Sequence, residues 1–241
     1  DNSQPAQKQT DRPSPLAQDE AQSSPASKPN GKANGKAIIR IEELTKIYDL
    51  GEVKVPALNG VDIDIAEGSY VNLGIGMPML VGNHIPDGKE FILHTENGML
   101  GMGPAMPEGK EDWDLINAGK QGVSILPGGS FFHHADSFAM IRGGHIDISI
   151  LGAYEVAKNG DIANWDIPGP RPPAVGGAMD LVAGAKQVWV MFSSHVSKAG
   201  APKIVENCSL PLTGVNCVDR IYSDLAIIER RDDALTVIGM V

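Results

Sequence analysis

A single carboxylate, Glu96, stands directly before an Asn-Gly pair and a series of closely spaced glycines in the stretch HTENGMLGMGP, residues 94–104. It follows the strand-like run EFILHT, and Asn97 and Gly98 suit a sharp turn because both tolerate positive φ. A carboxylate at such a turn can project into a cleft, where it could do chemistry, or lie on the surface as a solvated turn residue. The local sequence alone favours the second interpretation.

Two glycine-rich segments could form the rest of a site. In VGGAMD, Gly176 and Gly177 predict a tight turn that opens the helix AMDLVAGAK. The N-terminus of a helix is an anion site, so backbone N–H groups there could also donate to a negatively charged oxygen. In NLGIGMP, Asn72 precedes Gly74 and Gly76. An isolated Asn before glycines is more often a turn residue than a ligand-binding one.

The histidines and cysteines predict no metal site. The chain has six histidines, including the pair His133-His134, but no HExxH, HxH or His/Cys spacing organises them. We therefore expect surface or hydrogen-bonded histidines. Cys208 and Cys217 lack CxxC spacing and indicate neither a disulfide framework nor a zinc site. Buried thiols are the simpler expectation for both.

The elements that would position these residues are short strands and helices. The runs EFILHT, GVSILP, HIDISILG, QVWVMF and IYSDLAIIE have strand-like patterns, and EDWDLINAGK and ADSFAMIRGG have helical spacing. This alternation predicts an α/β domain whose central sheet is largely parallel and covered on both faces. Ligands of such sheets bind beyond the carboxyl ends of the strands, where the glycines of this chain cluster.

Composition narrows the class of protein. The chain has 241 residues and a formal net charge of -10. So acidic a chain is a poor candidate for binding nucleic acid or an anionic membrane, which both favour clustered Lys and Arg. No apolar run approaches the roughly 18 residues that a membrane span needs, and no signal peptide opens the chain. We expect a cytoplasmic protein.

The chain changes character twice along its length. Residues 1–36 are rich in Pro, Ser, Gln, Asn and Lys, which predicts a disordered polar tail. Residues 37–69 predict a short segment of antiparallel strands that resembles the start of an ABC-transporter ATPase of the lipoprotein-release or macrolide-export type. The expected GxxxxGK[ST] loop never follows, so the residues that bind the phosphates and magnesium are missing. Residues 70–241 form the predicted α/β domain.

An ordered series of motifs runs through that domain: YVNLGIGMP, TENGMLGMGP, DLINAGKQ, LPGGSFF, DSFAMIRGGHIDISILGA, GDIANW, VGGAMDLVAGAKQVWVM and CSLPLTGVNCVDRIYSDLA. Over about residues 68–238 the chain resembles the B (β) chain type of family I 3-oxoacid CoA-transferases. The wording of HHADSFAM, PAVGGAMDL and VNCVDRIYSDLA is most similar to the 3-oxoadipate CoA-transferases.

The resemblance implies a fold, a reaction and a set of partners. The fold would be the three-layer α/β/α domain of this family. The reaction would be transfer of CoA from succinyl-CoA to a 3-oxo acid, with 3-oxoadipate favoured. The CoA thioester would be a substrate, with no permanently bound cofactor and no metal. The chain would work within a heterotetramer, together with the A-type CoA-transferase subunit.

The resemblance also implies roles for individual residues. The glutamate of the family's [ST]ENG motif falls on Glu96, which would be the nucleophile that carries CoA as a glutamyl thioester. The family pattern places an oxyanion-stabilising N–H at Gly177, with a second donor from the A-type subunit. The residues expected to bind substrate or CoA are Asn72, Gly74, Gly76, Asn97, Gly98 and Gly176.

Two departures from the family pattern leave alternatives open. The family has a helix rich in Lys, Arg and Glu where this chain has the ABC-like strands, and the chain stops at LTVIGMV, short of the usual final segment. We interpret these departures as signs of a chimeric sequence. The alternatives are a nucleotide-binding fragment of an ABC transporter and a catalytically inactive fusion chain that keeps the fold.

Overall fold

A computed structural model describes residues 39–49, 54–85, 91–170, 172–232 and 234–241. The predicted disordered tail at 1–36 lies outside the described residues. The described part contains fourteen strands, two α-helices and one 3₁₀ helix, Met77–Asn83. The strands are β1 (Ile39–Asp49), β2 (Lys54–Ile65), β3 (Tyr70–Leu73), β4 (Ile92–Thr95), β5 (Met99–Ala105), β6 (Val123–Phe131), β7 (Ile148–Gly152), β8 (Glu155–Ala157), β9 (Ile162–Ala163), β10 (Gln187–Met191), β11 (Ile204–Val205), β12 (Val218–Tyr222), β13 (Ala226–Arg231) and β14 (Ala234–Met240). The α-helices are α1 (His134–Arg142) and α2 (Ala178–Gly184).

A nine-stranded mixed sheet forms the centre of the fold. Its strand order is β14-β13-β12-β10-β7-β3-β4-β5-β6. The five central strands, from β12 to β4, pair in parallel, and both flanks pair antiparallel. The predicted α/β class with a mostly parallel central sheet is confirmed. Because parallel strands end at the same edge, the residues that follow β3, β4, β7 and β10 gather on one side of the molecule.

The two faces of the sheet are buried in different ways. Along β10, Val188 and Val190 pack in one apolar cluster with α1 and α2, while Trp189 and Met191 pack in another on the opposite face. That second cluster includes buried side chains from β1 and β2, a hairpin that pairs antiparallel as the sequence predicts. Among the described residues, the outer layer on this side is therefore a β-hairpin and the 3₁₀ helix instead of α-helices. The domain boundary placed between residues 69 and 70 stays a prediction.

One predicted helix is wrong. EDWDLINAGK, residues 111–120, forms turns and bends. Asp112 Oδ1 accepts from the Asp114 N–H at 3.0 Å, and Asn117 Oδ1 accepts from the Gln121 N–H at 3.0 Å. Short polar side chains that bond the backbone in this way compete with helix formation. Lys120 completes the turn with a φ of 62°.

A second predicted element, one strand at residues 221–229, is parts of two strands in the structure. The sequence predicts one strand at IYSDLAIIE, and the structure breaks it into the end of β12 and the start of β13. Ser223 makes the turn, since its hydroxyl accepts from the N–H groups of Leu225 and Ala226 at 3.2 and 3.1 Å. The turn reverses the chain, so β13 runs antiparallel to β12.

Candidate active site

Glu96 occupies a tight turn between β4 and β5, at the carboxyl edge of the parallel strands. Gly98 adopts a φ of 116°, and its N–H donates to the Thr95 carbonyl at 3.0 Å. A Cβ at Gly98 would overlap the carbonyl oxygen of Phe132, so only glycine fits the turn. Asn97 fastens the turn from outside, because its Nδ2 donates to the Ile116 carbonyl at 2.9 Å. The backbone of the turn is therefore held on both sides, and Glu96 is half-buried.

The glycine pair before α2 meets the Glu96 carboxylate. Gly176 has a φ of 53°, and Gly177 is the residue from which α2 begins. The backbone N–H of Gly177 lies close enough to the Glu96 carboxylate to favour its ionised form and so lower its pKa. A Cβ built on Gly177 would overlap Glu96 Oε2 and would lie 3.1 Å from Cζ of Phe138. The absence of a side chain at Gly177 is therefore what lets the carboxylate reach the backbone.

Burial and nearby charges act on the Glu96 carboxylate in opposite directions. Burial raises the pKa of Glu96 above its ordinary value, and the charge of Asp180 in α2 raises it further. His134, the first residue of α1, and the Gly177 N–H both favour the ionised form and lower the pKa. The sum is a raised pKa. The group that faces Gly177 is thus a partly desolvated carboxylate between the first turns of two helices.

The NLGIGMP segment lies at the end of β3, beside β4. Asn72 is 2% exposed, and its Nδ2 lies 3.0 Å from Nδ1 of His94. A Cβ at Gly74 would lie 3.0 Å from Cδ2 of Leu151 and 3.1 Å from the Ile150 carbonyl oxygen, so close strand packing favours glycine there. Gly76 has a φ of 92° and nothing near the position of its missing side chain. Both glycines have structural reasons, and their expected role in binding substrate stays a prediction.

Four residues near Glu96 were not identified as site residues from the sequence: His94, His134, Phe138 and Asp180. The ring of Phe138 meets that of His134 edge to face, with 4.8 Å between centroids. Asp180 pairs with Arg142 at 2.6 Å. The pair His133-His134 is visible in the sequence, but nothing in its spacing connects it to a glutamate far upstream. His133 instead caps α1, where its Nδ1 accepts from the Ala135 N–H at 3.1 Å.

The remaining titratable candidates do not form a second site. Across the described ranges, no group of His, Cys, Asp and Glu could hold a metal ion. Cys217 is buried, and burial raises the pKa of Cys208 to about 11, which makes a thiolate scarce at neutral pH.

Within the part of the chain that the structure describes, no helix is long and apolar enough to cross a membrane. The cytoplasmic location stays a prediction.

Comparison with known proteins gives consistent results. The coenzyme A transferase family model matches residues 59–234. The chain is 58% identical over 179 residues to the B subunit of 3-oxoadipate CoA-transferase from Pseudomonas putida, covering 74% of this chain and 83% of that protein. It is 53% identical over 174 residues to the B subunit of a probable succinyl-CoA:3-ketoacid coenzyme A transferase from Bacillus subtilis, covering 72% and 80% of the two chains.

Among solved structures, the apoenzyme of an acyl-CoA transferase from Escherichia coli O157:H7 superposes with a TM-score of 0.56 at 16% identity. The alignment covers 73% of this chain and 36% of that one. This likeness supports the fold. These comparisons give no support to the ABC-transporter resemblance of residues 37–69, and the family match begins inside that segment. A chimeric sequence is likewise unsupported.

Proposed function

The chain belongs to the coenzyme A transferase family, and on that premise we propose that it is a B-type subunit that transfers CoA from succinyl-CoA to a 3-oxo acid through Glu96. The observation that carries the proposal is the contact between the Glu96 carboxylate and the backbone N–H of Gly177. A carboxylate can act as a nucleophile, and a backbone N–H beside it can donate to an oxyanion that forms there, so this contact supports the proposal.

The first half of the reaction loads CoA onto the protein. A Glu96 oxygen attacks the thioester carbon of succinyl-CoA, the C–S bond breaks, and CoA leaves as a thiolate. The product is a mixed anhydride between the succinyl group and Glu96. The thiolate then attacks the side-chain carbonyl carbon of Glu96, succinate leaves, and a glutamyl-CoA thioester remains. No net proton is gained or lost, so the protein needs no separate general base.

The second half returns CoA to a new acid. The carboxylate of the 3-oxo acid attacks the glutamyl thioester and releases the CoA thiolate. The thiolate attacks the acyl carbon of the new anhydride, which restores the Glu96 carboxylate and gives the 3-oxoacyl-CoA. Each attack places negative charge on a carbonyl oxygen beside Glu96. The Gly177 N–H supports this step, because a donor fixed at a helix start stabilises that charge without reorganising.

The finer parts of the proposal concern partners and substrate. We place the chain in a heterotetramer with the A-type CoA-transferase subunit, which would supply the second oxyanion donor. The names of the relatives favour 3-oxoadipate as the acid, with other 3-oxo acids as alternatives. Asn72, Gly74, Gly76, Asn97, Gly98 and Gly176 would lie along the substrate and CoA. CoA takes part as substrate, and no permanently bound cofactor is invoked.

Intact and peptide mass spectrometry test the proposal. The full chain is combined with the A-type subunit of a 3-oxoadipate CoA-transferase and incubated with succinyl-CoA. We expect a CoA adduct on the peptide that contains Glu96, and we expect 3-oxoadipate to discharge it. Glu96→Gln should abolish both the adduct and CoA transfer. An assembled complex of the wild-type chain that forms no adduct would contradict the proposal and would favour a catalytically inactive chain.

A further inference from the structure

One buried titratable side chain near Glu96 has no part in the reaction outlined above. His94 lies in β4, two positions before Glu96, and is 1% exposed. Its two ring nitrogens bond two other buried side chains: Asn72 of β3, which is 2% exposed, and Ser137 of α1, which is fully buried. A polar group so deep in the protein must be satisfied by partners, and here the partners come from two neighbouring elements.

The bonding pattern fixes which ring nitrogen carries the proton. Nδ2 of Asn72 lies 3.3 Å from the His94 carbonyl oxygen, which can only accept, so the amide nitrogen faces His94. The same Nδ2 lies 3.0 Å from Nδ1 of the ring, which must therefore accept. In a neutral imidazole the proton then sits on Nε2, which donates to Ser137 Oγ at 2.9 Å. The Ser137 hydroxyl donates in turn to the Thr95 carbonyl at 3.4 Å.

Burial keeps this ring neutral. It lowers the pKa of His94 to about 4, so the imidazole is uncharged near neutral pH. An uncharged ring with one accepting and one donating nitrogen cannot deliver charge to Glu96. It can, however, connect two partners in a fixed direction, because each nitrogen serves only one role. The chain of bonds begins at the end of β3 and finishes at the carbonyl that precedes Glu96.

We propose that His94 is a positioning residue for the Glu96 nucleophile, because it ties the end of β4 to Asn72 of β3 and to Ser137 of α1. The inference rests on the proposed function of Glu96. The other groups around the carboxylate are Gly177, His134, Phe138 and Asp180, and all of them follow β4 in the chain, on α1, on α2 or at the start of α2. Glu96 itself lies in the turn at residues 95–98, which directly follows β4. Its orientation toward Gly177 thus depends on how rigidly the end of β4 is held.

Three substitutions separate positioning from general stability. His94→Leu fills the same buried position with an apolar side chain and removes both bonds of the ring. His94→Gln keeps an acceptor for Asn72 and a donor for Ser137, since its amide carries both. Ser137→Ala leaves the ring in place and removes one bond from its far end, in a helix that tolerates Ala well. His145→Gln, at an exposed histidine after α1, is the matched control.

The experiment measures the rate of CoA-adduct formation on Glu96 in the complete complex with the A-type subunit, over a range of succinyl-CoA concentrations. We expect His94→Leu to lower the maximal rate by about 10²-fold with little change in half-saturation, which is the size of effect that misplacement of a reacting group by ~1 Å produces. Ser137→Ala should lower it less, and His94→Gln should restore most of it. The control should match the wild type.

The outcomes that overturn the inference are distinct from those that overturn the function. Wild-type rates in an assembled His94→Leu complex would overturn positioning. If His94→Leu does not assemble, Ser137→Ala at the wild-type rate would do so. A His94→Gln variant that assembles but is as slow as His94→Leu would also do so, because a second side chain with the same bonding pattern would then fail. Failure of the wild-type complex to form an adduct would instead remove the proposed function.

Discussion

At the scale of single residues, the proposed chemistry depends on one contact between the Glu96 carboxylate and Gly177, a residue without a side chain. By its local sequence Glu96 is an ordinary turn residue, and the motif order makes it a candidate nucleophile. The structure adds a physical restriction at Gly177, where any Cβ would take the space of Glu96 Oε2. Gly177 has a φ of -89° and a ψ of 6°, a region of negative φ that is also open to residues with a side chain. The requirement for glycine there is one of space, not of backbone conformation.

This distinction makes Gly177→Ala informative. The backbone accepts Ala without strain, so the variant should fold and assemble. The methyl group displaces the Glu96 carboxylate from the N–H, and we expect adduct formation to slow by on the order of 10²–10³-fold, as for loss of an oxyanion donor. Rapid-quench mass spectrometry measures the rate. Gly239→Ala on β14, where the nearest atom lies at an ordinary 3.5 Å, is the control. Equal rates in the two variants would contradict the assignment.

At the scale of elements, the first turns of α1 and α2 act on Glu96 with opposite charge. His134 opens α1 and lowers the pKa of Glu96, while Asp180 in the first turn of α2 raises it. Both side chains are on helices that pack against the same face of the sheet. Helix placement therefore adds to burial in adjusting the pKa of Glu96, the proposed nucleophile.

Substitution at these two helices should move the pH profile in opposite directions. Asp180→Asn removes a negative charge and should lower the pKa of Glu96, so the acidic limb of kcat/KM moves to lower pH. His134→Gln removes an interaction that lowers the pKa of Glu96 and should move that limb to higher pH. Steady-state rates between about pH 4 and pH 8 locate the acidic limb of kcat/KM in each variant. Shifts in the same direction would show that the limb belongs to a group other than Glu96.

Most strands and helices could be predicted from the sequence, but the contact between Glu96 and Gly177 could not be predicted from local patterns. The run QVWVM reads as a strand because it is short and apolar, and ADSFAMIR reads as a helix from its spacing. Residues 111–120 have the apolar spacing of a helix, but their Asp and Asn side chains bond the backbone and form turns instead. The meeting of Glu96 with Gly177 depends on strands that are distant in the chain, so no local pattern encodes it. The motif order supplied that pairing, but it indicated neither His134 nor Asp180.

At the scale of the whole molecule, the buried hydrogen bonds that His94 makes with Asn72 and Ser137 couple stability to pH. His94 has an ordinary pKa of 6.5 in the unfolded chain and about 4 in the folded one, where burial lowers it. Between these values the unfolded state binds more protons, so the free energy of unfolding rises with pH. The stability that depends on a neutral His94 is fully present above pH 6.5 and is lost as pH falls toward 4. The difference corresponds to about 3 kcal/mol.

Other groups change stability over neighbouring or overlapping ranges, which makes a matched variant necessary. Despite partial burial, hydrogen bonds lower the pKa values of Glu155 and Glu229. The stability that their ionised carboxylates contribute is lost as the pH falls through their pKa values in the folded state. The raised pKa of Glu96 acts in the opposite sense to His94, because the folded state then binds the extra proton. Subtracting the profile of His94→Gln from that of the wild type cancels these contributions. The difference between the two profiles isolates the imidazole.

Urea unfolding of the full chain at a series of pH values tests this coupling. From pH 7 to pH 4.5 the wild type should lose more stability than His94→Gln, which carries no titrating ring, and the gap should approach roughly 2–3 kcal/mol. The exposed His145 is the control, because His145→Gln removes an imidazole without opening the core. Parallel profiles for the wild type and His94→Gln would mean that His94 is protonated as easily in the folded state as in the unfolded one. The fold would then not favour the neutral ring that accepts from Asn72, and the chain of bonds through His94 would not account for the position of β4.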